Sequence, residues 1–319
     1  MRYDCISVFF LKNMLNTQYY LVAGHMFSLQ MEADHILWAL ASNYQPFFLT
    51  HAEGREPVFQ LTVCSEGTPL PQPAETIGTF DCDAAWLQLY TTADGGRLFQ
   101  IAPNANHQED AATLQIDPTF SKGRLWIPAD ATPGQQHFAL NNAAMMLFAF
   151  STVGQDTLLM HASVVYRKEY GYLFLGRSGT GKSTHSSLWL KYLDDCYLLN
   201  DDNPAIRIQD GKAQVYGTPW SGKTPCYLNR QAPIGAIVQL EQAPFNRIER
   251  LNSLRAYAAV RPAASSMKWE RNQADGLHHA LQELLAVTPI YHLQCLPDEE
   301  AARLCCRTVT PRLEEGQQA

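Results

Sequence analysis

Residues 176–183 read Gly-Arg-Ser-Gly-Thr-Gly-Lys-Ser and fill every fixed position of the pattern G-x-x-x-x-G-K-[ST]. The residue types dictate what such a loop can hold. Gly176, Gly179 and Gly181 let backbone N–H groups turn inward around phosphate oxygens, and a helix beginning near Lys182 adds the positive end of its dipole. The Lys182 ammonium can reach the β- and γ-phosphates of a nucleoside triphosphate, and the Ser183 hydroxyl can bind the Mg²⁺ that bridges them. Ser178, Thr180 and Thr184 complete the candidate nucleotide-binding set.

One short helix farther on, Asp201 and Asp202 follow the apolar run Cys196–Leu199. A strand there would end near the phosphates, in the crevice where open α/β sheets bind ligands. One carboxylate is needed to anchor Mg²⁺, and a second can take the proton of an attacking hydroxyl. Adjacent residues of an extended segment face opposite sides, so on residue type alone the two roles are exchangeable. Asp201-Asp202-Asn203-Pro204 also suits a polar turn, and it is the neighbouring loop that makes it a candidate site.

Elements must hold these groups in place. Strands are predicted at Leu158–Tyr166 and Tyr172–Leu175, the second running into the glycine loop, and a helix over Ser183–Leu193 leaves it. Together with Cys196–Leu199 they make a strand–loop–helix–strand unit with parallel strands. A hairpin is predicted around Asp210-Gly211, a buried strand at Ile234–Leu240, and helices at Leu251–Val260, Asp275–Ala286 and Glu299–Arg307, the last capped by Asp298. Residues 1–130 read as a smaller β-rich lobe, with a hairpin joining Trp86–Thr92 to Arg97–Ile101 through Ala93-Asp94-Gly95-Gly96 and a strand at Thr113–Ile116. Residues 131–310 are assigned to a catalytic domain that opens with an apolar helix around His137–Val153, and 311–319 to a flexible tail.

Met160-His161-Ala162-Ser163, Gly176–Thr184 and Asn200-Asp201-Asp202, in this order and spacing, resemble the core of HPr serine kinase and of ATP-dependent phosphoenolpyruvate carboxykinase. The resemblance implies an α/β P-loop domain of the carboxykinase/HPr kinase type, with ATP and Mg²⁺ as cofactors. It implies that His161 lies at the active site, that Asp201 acts as general base on a hydroxyl, and that Asp202 together with Ser183 holds metal. Lys182 joins Asp201 and His161 in the implied catalytic set. Asn203 stands where those enzymes carry glutamate, and no oxaloacetate-binding segment is present. In place of the segment that HPr kinases carry after the paired aspartates stands Thr218-Pro219-Trp220-Ser221-Gly222-Lys223-Thr224, then Asn229-Arg230. Trp220, Ser221, Lys223 and Arg230 are therefore candidate substrate-loop residues, with a surface turn around one packed tryptophan as the alternative.

Composition excludes other classes. The formal net charge of −7 gives no basic face for a phosphate backbone, so a nucleic-acid partner is not expected. Eight cysteines without a Cys-x-x-Cys pair write neither a zinc site nor a dithiol motif, and the adjacent Cys305 and Cys306 are expected to be packing residues. No window approaches the roughly 20 apolar residues that span a bilayer, and the apolar stretch Ile6–Leu11 stops at Lys12, so the expectation is a cytoplasmic chain with no membrane partner. The expected activity is a kinase acting on a hydroxyl of a small metabolite, a free amino acid or a seryl peptide or protein. The alternative is a nucleotide-gated binding or regulatory protein with weak or no catalysis. Oligomeric state is left open.

Overall fold

A computed structural model of the chain describes residues 14–52, 54–82, 85–222 and 224–310. The stretch Ile6–Leu11, Lys223 and the tail 311–319 lie outside these residues. The chain divides into two compact units, Met1–Thr152 and Val153–Ala319.

The first unit is built on a nine-stranded sheet: β1 (Leu15–Val22), β2 (His25–Glu32), β3 (Phe48–Leu49), β4 (Gln60–Val63), β5 (Thr76–Cys82), β6 (Ala85–Thr91), β7 (Arg97–Ala102), β8 (Ala112–Ile116) and β9 (Lys122–Trp126). Their order is β3-β1-β2-β4-β9-β8-β7-β6-β5. β4 runs parallel to both of its neighbours. The expected hairpin joins β6 to β7, with Gly95 at φ +83° in its turn. One helical turn, α1 (Leu37–Leu40), precedes β3. The apolar helix α2 (Pro133–Thr152) belongs to this unit, so the boundary falls after Thr152 and not after residue 130. Packing gives the reason. A Cβ on Gly123 of β9 would stand 2.4 Å from Leu147 Cδ1, so the helix lies directly on the sheet and buries Leu140, Leu147 and Phe148 there. Apolar on most of its surface, a helix cannot stand as a solvated linker.

In the second unit the run Leu158–Tyr166 is two strands, β10 (Thr157–Leu159) and β11 (Ala162–Arg167). Met160 and His161 leave the ladder between them, donating their N–H groups to the carbonyls of Pro204 (3.0 Å) and Ala263 (2.7 Å). β12 (Tyr170–Leu175), α3 (Lys182–Tyr192), β13 (Cys196–Asp202), β14 (Ala205–Gln209), β15 (Lys212–Tyr216) and β16 (Gln231–Gln242) follow, then β17 (Arg247–Arg250), α4 (Ser253–Val260), α5 (Arg271–Val287), β18 (Ile290–Cys295) and α6 (Glu299–Val309). The sheet order is β10-β14-β15-β16-β12-β11-β13, with β18 also paired to β16 and β17 to β18. β12 and β16 are parallel, and β11 is antiparallel to both β12 and β13. β12 and β13 therefore run the same way with β11 between them.

Alternation along β12 makes this unit a three-layer structure. Leu173 and Leu175 join Val260 of α4 and Leu277 and Leu281 of α5, while Tyr172 and Phe174 join Trp189 of α3 and Ala302 and Cys305 of α6 on the other face. A strand buried on both faces reads as a continuous apolar run. Each fully buried Leu or Phe contributes about 1.5–3 kcal/mol through area removed from water. Cys305 and Cys306 are buried free thiols, and Asp298 caps α6 by accepting from the Ala301 N–H at 2.8 Å. Among the described residues no helix is long and apolar enough to cross a membrane.

Candidate nucleotide and metal site

The loop between β12 and α3 sits at the carboxyl end of a central strand, and its shape depends on glycine. Gly179 (φ +77°) and Gly181 (φ +104°) occupy backbone conformations that a side chain would strain. Ser178, Gly179, Ser183 and Thr184 are exposed at this end of the sheet. From β16 the Gln242 side-chain amide donates to the Gly179 carbonyl at 3.1 Å and tethers the loop from outside.

Three elements then bring the candidate groups together. The first turn of α3 supplies Lys182 and Ser183, the break between β10 and β11 supplies His161, and the end of β13 supplies the aspartates. The pair lies within β13, paired to Ser163 and Ala162 of β11, and not in a turn beyond the strand. Ser183 Oγ donates to Asp201 Oδ1 at 3.0 Å. Lys182 Nζ stands 2.9 Å from His161 Nε2 and 3.1 Å from the Gly176 carbonyl, and His161 Nδ1 is 2.9 Å from Asp202 Oδ1. An ammonium can only donate, so Nε2 accepts from Lys182 and the imidazole donates its Nδ1–H to Asp202. The Asn203 amide donates to the other Asp202 oxygen at 2.9 Å. Of the two carboxylates Asp201 is buried, at 4% exposure, whereas the Asp202 side chain is 26% exposed.

Asp202 has φ +129°, a strained value for a residue with a side chain, and a network around Asn200 holds it there. The buried Asn200 amide donates to Thr218 Oγ1 (3.2 Å) and the Trp220 carbonyl (3.3 Å), and its oxygen accepts from the Asn203 N–H (3.0 Å). Gln242 is a positioning residue that no motif contains, and Asn200 and Thr218, though quoted in the motif and the loop, take positioning roles that the sequence does not assign them. Their signal is geometric: each satisfies backbone groups brought near only by folding.

The proposed substrate loop is divided by the structure. Trp220 is buried at 4% exposure and packs, as in the packed-tryptophan alternative. The Ser221 hydroxyl has the Asp201 carbonyl (3.0 Å) and the Thr224 carbonyl (2.7 Å) within reach of its one proton, so it ties together the backbone behind the aspartates. The Arg230 guanidinium lies 5.6 Å from the Tyr197 ring centroid, at the opposite end of β13 from the aspartates. Lys223 lies outside the described residues.

Among the described residues no group of three or more His, Cys, Asp or Glu side chains could hold a metal ion. Mg²⁺ shared with a nucleotide does not need one, since it takes one or two protein oxygens and fills its octahedron with phosphate oxygens and water. The Ser183 hydroxyl and the Asp201 carboxylate, 3.0 Å apart, are hard oxygen donors of that kind, and the residues present fit the ion.

Behind the loop helix, the His185 ring packs edge-on against Phe174 (centroids 4.8 Å) and its Nε2 accepts from Trp189 Nε1 at 3.1 Å. Burial lowers its pKa to about 4, from an ordinary 6.5. Between these values the unfolded chain binds a proton that the folded chain refuses, so stability is fully present above pH 6.5 and falls as the pH drops towards 4. The loss from this group should reach about 3 kcal/mol. Urea unfolding of wild type and His185→Gln from pH 7 to 4 should show the wild type losing more stability than the variant; parallel curves would refute the assignment.

Searches against protein-family models and against curated proteins returned no match to the chain.

Proposed function

We propose that this chain is an ATP- and Mg²⁺-dependent kinase that passes the γ-phosphoryl group to a hydroxyl of a small metabolite, a free amino acid or a seryl side chain. One observation carries the reading: Ser183 and Asp201 meet at 3.0 Å beside a complete phosphate-loop motif, with Lys182, His161 and Asp202 hydrogen-bonded in series next to them. A mixed α/β unit with this loop at a strand's end supports placing it with the HPr kinase and carboxykinase type of P-loop domain.

Each side chain has a defined task in this reading. Lys182 exchanges its contacts with His161 and the Gly176 carbonyl for β- and γ-phosphate oxygens, and the loop N–H groups take the remainder. Ser183 and Asp201 would hold Mg²⁺, which supplies charge neutralisation across the phosphates. The contact between Ser183 and the buried Asp201 favours Asp201 for this task, an exchange of the roles that the family resemblance implies. Asp202, more exposed and oriented by His161 and Asn203, then takes the acceptor proton. The acceptor oxygen forms a bond to the γ-phosphorus, the bond from that phosphorus to the β–γ bridging oxygen breaks, ADP leaves, and the hydroxyl proton passes to Asp202.

Incubation with terminally labelled ATP, Mg²⁺ and a metabolite and peptide extract should yield labelled phosphomonoesters detectable by mass spectrometry, and none with Lys182→Ala. Nucleotide binding with no labelled product would favour the gated binding protein over the kinase.

A further inference from the structure

A cleft of about 700 Å³ opens along the loop segment Gly176–Thr180, on the side away from the aspartates. Strand order fixes the sides. Asp201 and Asp202 lie on β13, beyond β11 on one flank of β12, whereas the cleft is formed by β16 and β18 on the other flank. The cleft has the size of a small-molecule site, about 300–1,000 Å³. Leu251, Ala258 and Ala259 give it apolar surface at and within α4, and Arg177, Glu241, Arg255 and His292 give it charged and polar groups.

Those on β16, β18 and α4 are tied in pairs. Glu241 Oε2 stands 2.8 Å from His292 Nε2, and the Arg255 guanidinium bonds Glu249 at 2.5 Å. Charge matched in this way leaves Arg177, in the loop itself, as the group placed to meet a phosphate, and the rest of the cleft offers little to an anion. It suits a neutral body with an apolar plane and a few hydroxyl donors.

We infer that this cleft takes the nucleoside of the phosphoryl donor, and that Glu241, oriented by His292, reads the ribose hydroxyls. The inference rests on the nucleotide reading above. With the γ-phosphate at Lys182, Ser183 and Asp201, the chain of phosphates crosses the loop and its nucleoside leaves on the β16 side, where the cleft begins. A carboxylate only accepts hydrogen bonds, and a ribose 2′,3′-diol presents two donors side by side. The base then covers Leu251, Ala258 and Ala259. Gln242, adjacent to Glu241, also lines the cleft and donates to the Gly179 carbonyl, so the nucleoside pocket and the phosphate loop share one tether.

Calorimetry with Mg²⁺ and three ligands, ADP, 2′-deoxy-ADP and inorganic tripolyphosphate, tests this. Wild type should bind ADP at least about tenfold more tightly than the deoxy form, the loss of one hydrogen bond to a charged acceptor. Glu241→Gln and His292→Gln should each narrow that ratio, weaken ADP, and leave tripolyphosphate unchanged. Equal affinity of wild type for ADP and the deoxy form, or ADP binding unaltered in Glu241→Gln, would overturn the inference. Equal weakening of ADP and tripolyphosphate in the Glu241 and His292 variants would overturn it too, because the change would then lie in the loop. Failure of the nucleotide reading itself looks different: wild type would bind neither ADP nor tripolyphosphate.

Discussion

Lys182→Ala is expected to weaken Mg²⁺-dependent binding of ATP and ADP by roughly 10²-fold, because it removes the loop cation that would exchange its contacts with His161 and the Gly176 carbonyl for phosphate oxygens. The fold should survive. Lys182 is partly exposed at the start of α3, and alanine is the best helix former. A second effect follows from the series Lys182–His161–Asp202: without the ammonium, Nε2 of His161 loses its donor and the imidazole loses one of the two contacts that fix its tautomer. Lys182→Arg separates these effects, since it keeps the charge but places a planar fork where the loop accommodates a point charge. Calorimetric titration at fixed Mg²⁺ checks both variants, with thermal melting as a control for folding. Affinity in Lys182→Ala equal to wild type would remove the nucleotide reading and everything built on it.

The site was more legible than the frame that carries it. The loop motif announces itself because phosphate and metal chemistry demands particular residue types at fixed spacing, the loop makes the neighbouring aspartates a candidate pair, and His161 is indicated by the family resemblance alone; the structure brings all three within hydrogen-bond reach. The double-sided burial of β12 was readable too, as an uninterrupted apolar run. What could not be read depends on distant partners. Nothing local in Leu158–Tyr166 marks the break at His161; it follows from carbonyls of Pro204 and Ala263 that only the folded chain brings there. The grouping of α2 with the first unit is not written in the helix itself, because apolar faces show that a helix must be covered without showing by what, and Gly123 supplies the missing contact. β17 and β18 flank α4 and α5, and their short mixed sequences carry no period strong enough to separate them from loop. Trp220 shows where sequence leaves two readings level: an aromatic in a glycine-containing loop suits a substrate contact or a packed side chain, and its burial fits the second.

Asp202→Asn is expected to keep near wild-type nucleotide affinity and to lower turnover by about 10²–10⁴-fold, the usual worth of a general base. The amide has the shape of the carboxylate and can still accept the His161 Nδ1–H, but it cannot take up the acceptor proton. Its second position, now an NH₂, faces the Asn203 amide and requires that side chain to present its oxygen instead. Asp201→Asn should act earlier in the cycle. It removes the negative charge from one of the two protein ligands beside the phosphates, so the Mg²⁺ concentration needed for half-maximal nucleotide binding should rise, and turnover should recover partly at high Mg²⁺. Turnover lost in Asp202→Asn should not recover, because saturating metal does nothing for a missing proton acceptor. Kinetics for both variants across a Mg²⁺ series therefore separate the two tasks, with kcat reporting the base and the metal dependence reporting the ligand. A variant pair behaving the other way round, with Asp201→Asn insensitive to Mg²⁺ and inactive in transfer, would return the base to Asp201 and the metal to Asp202. The Ser183–Asp201 contact would then be one that gives way when nucleotide and metal bind.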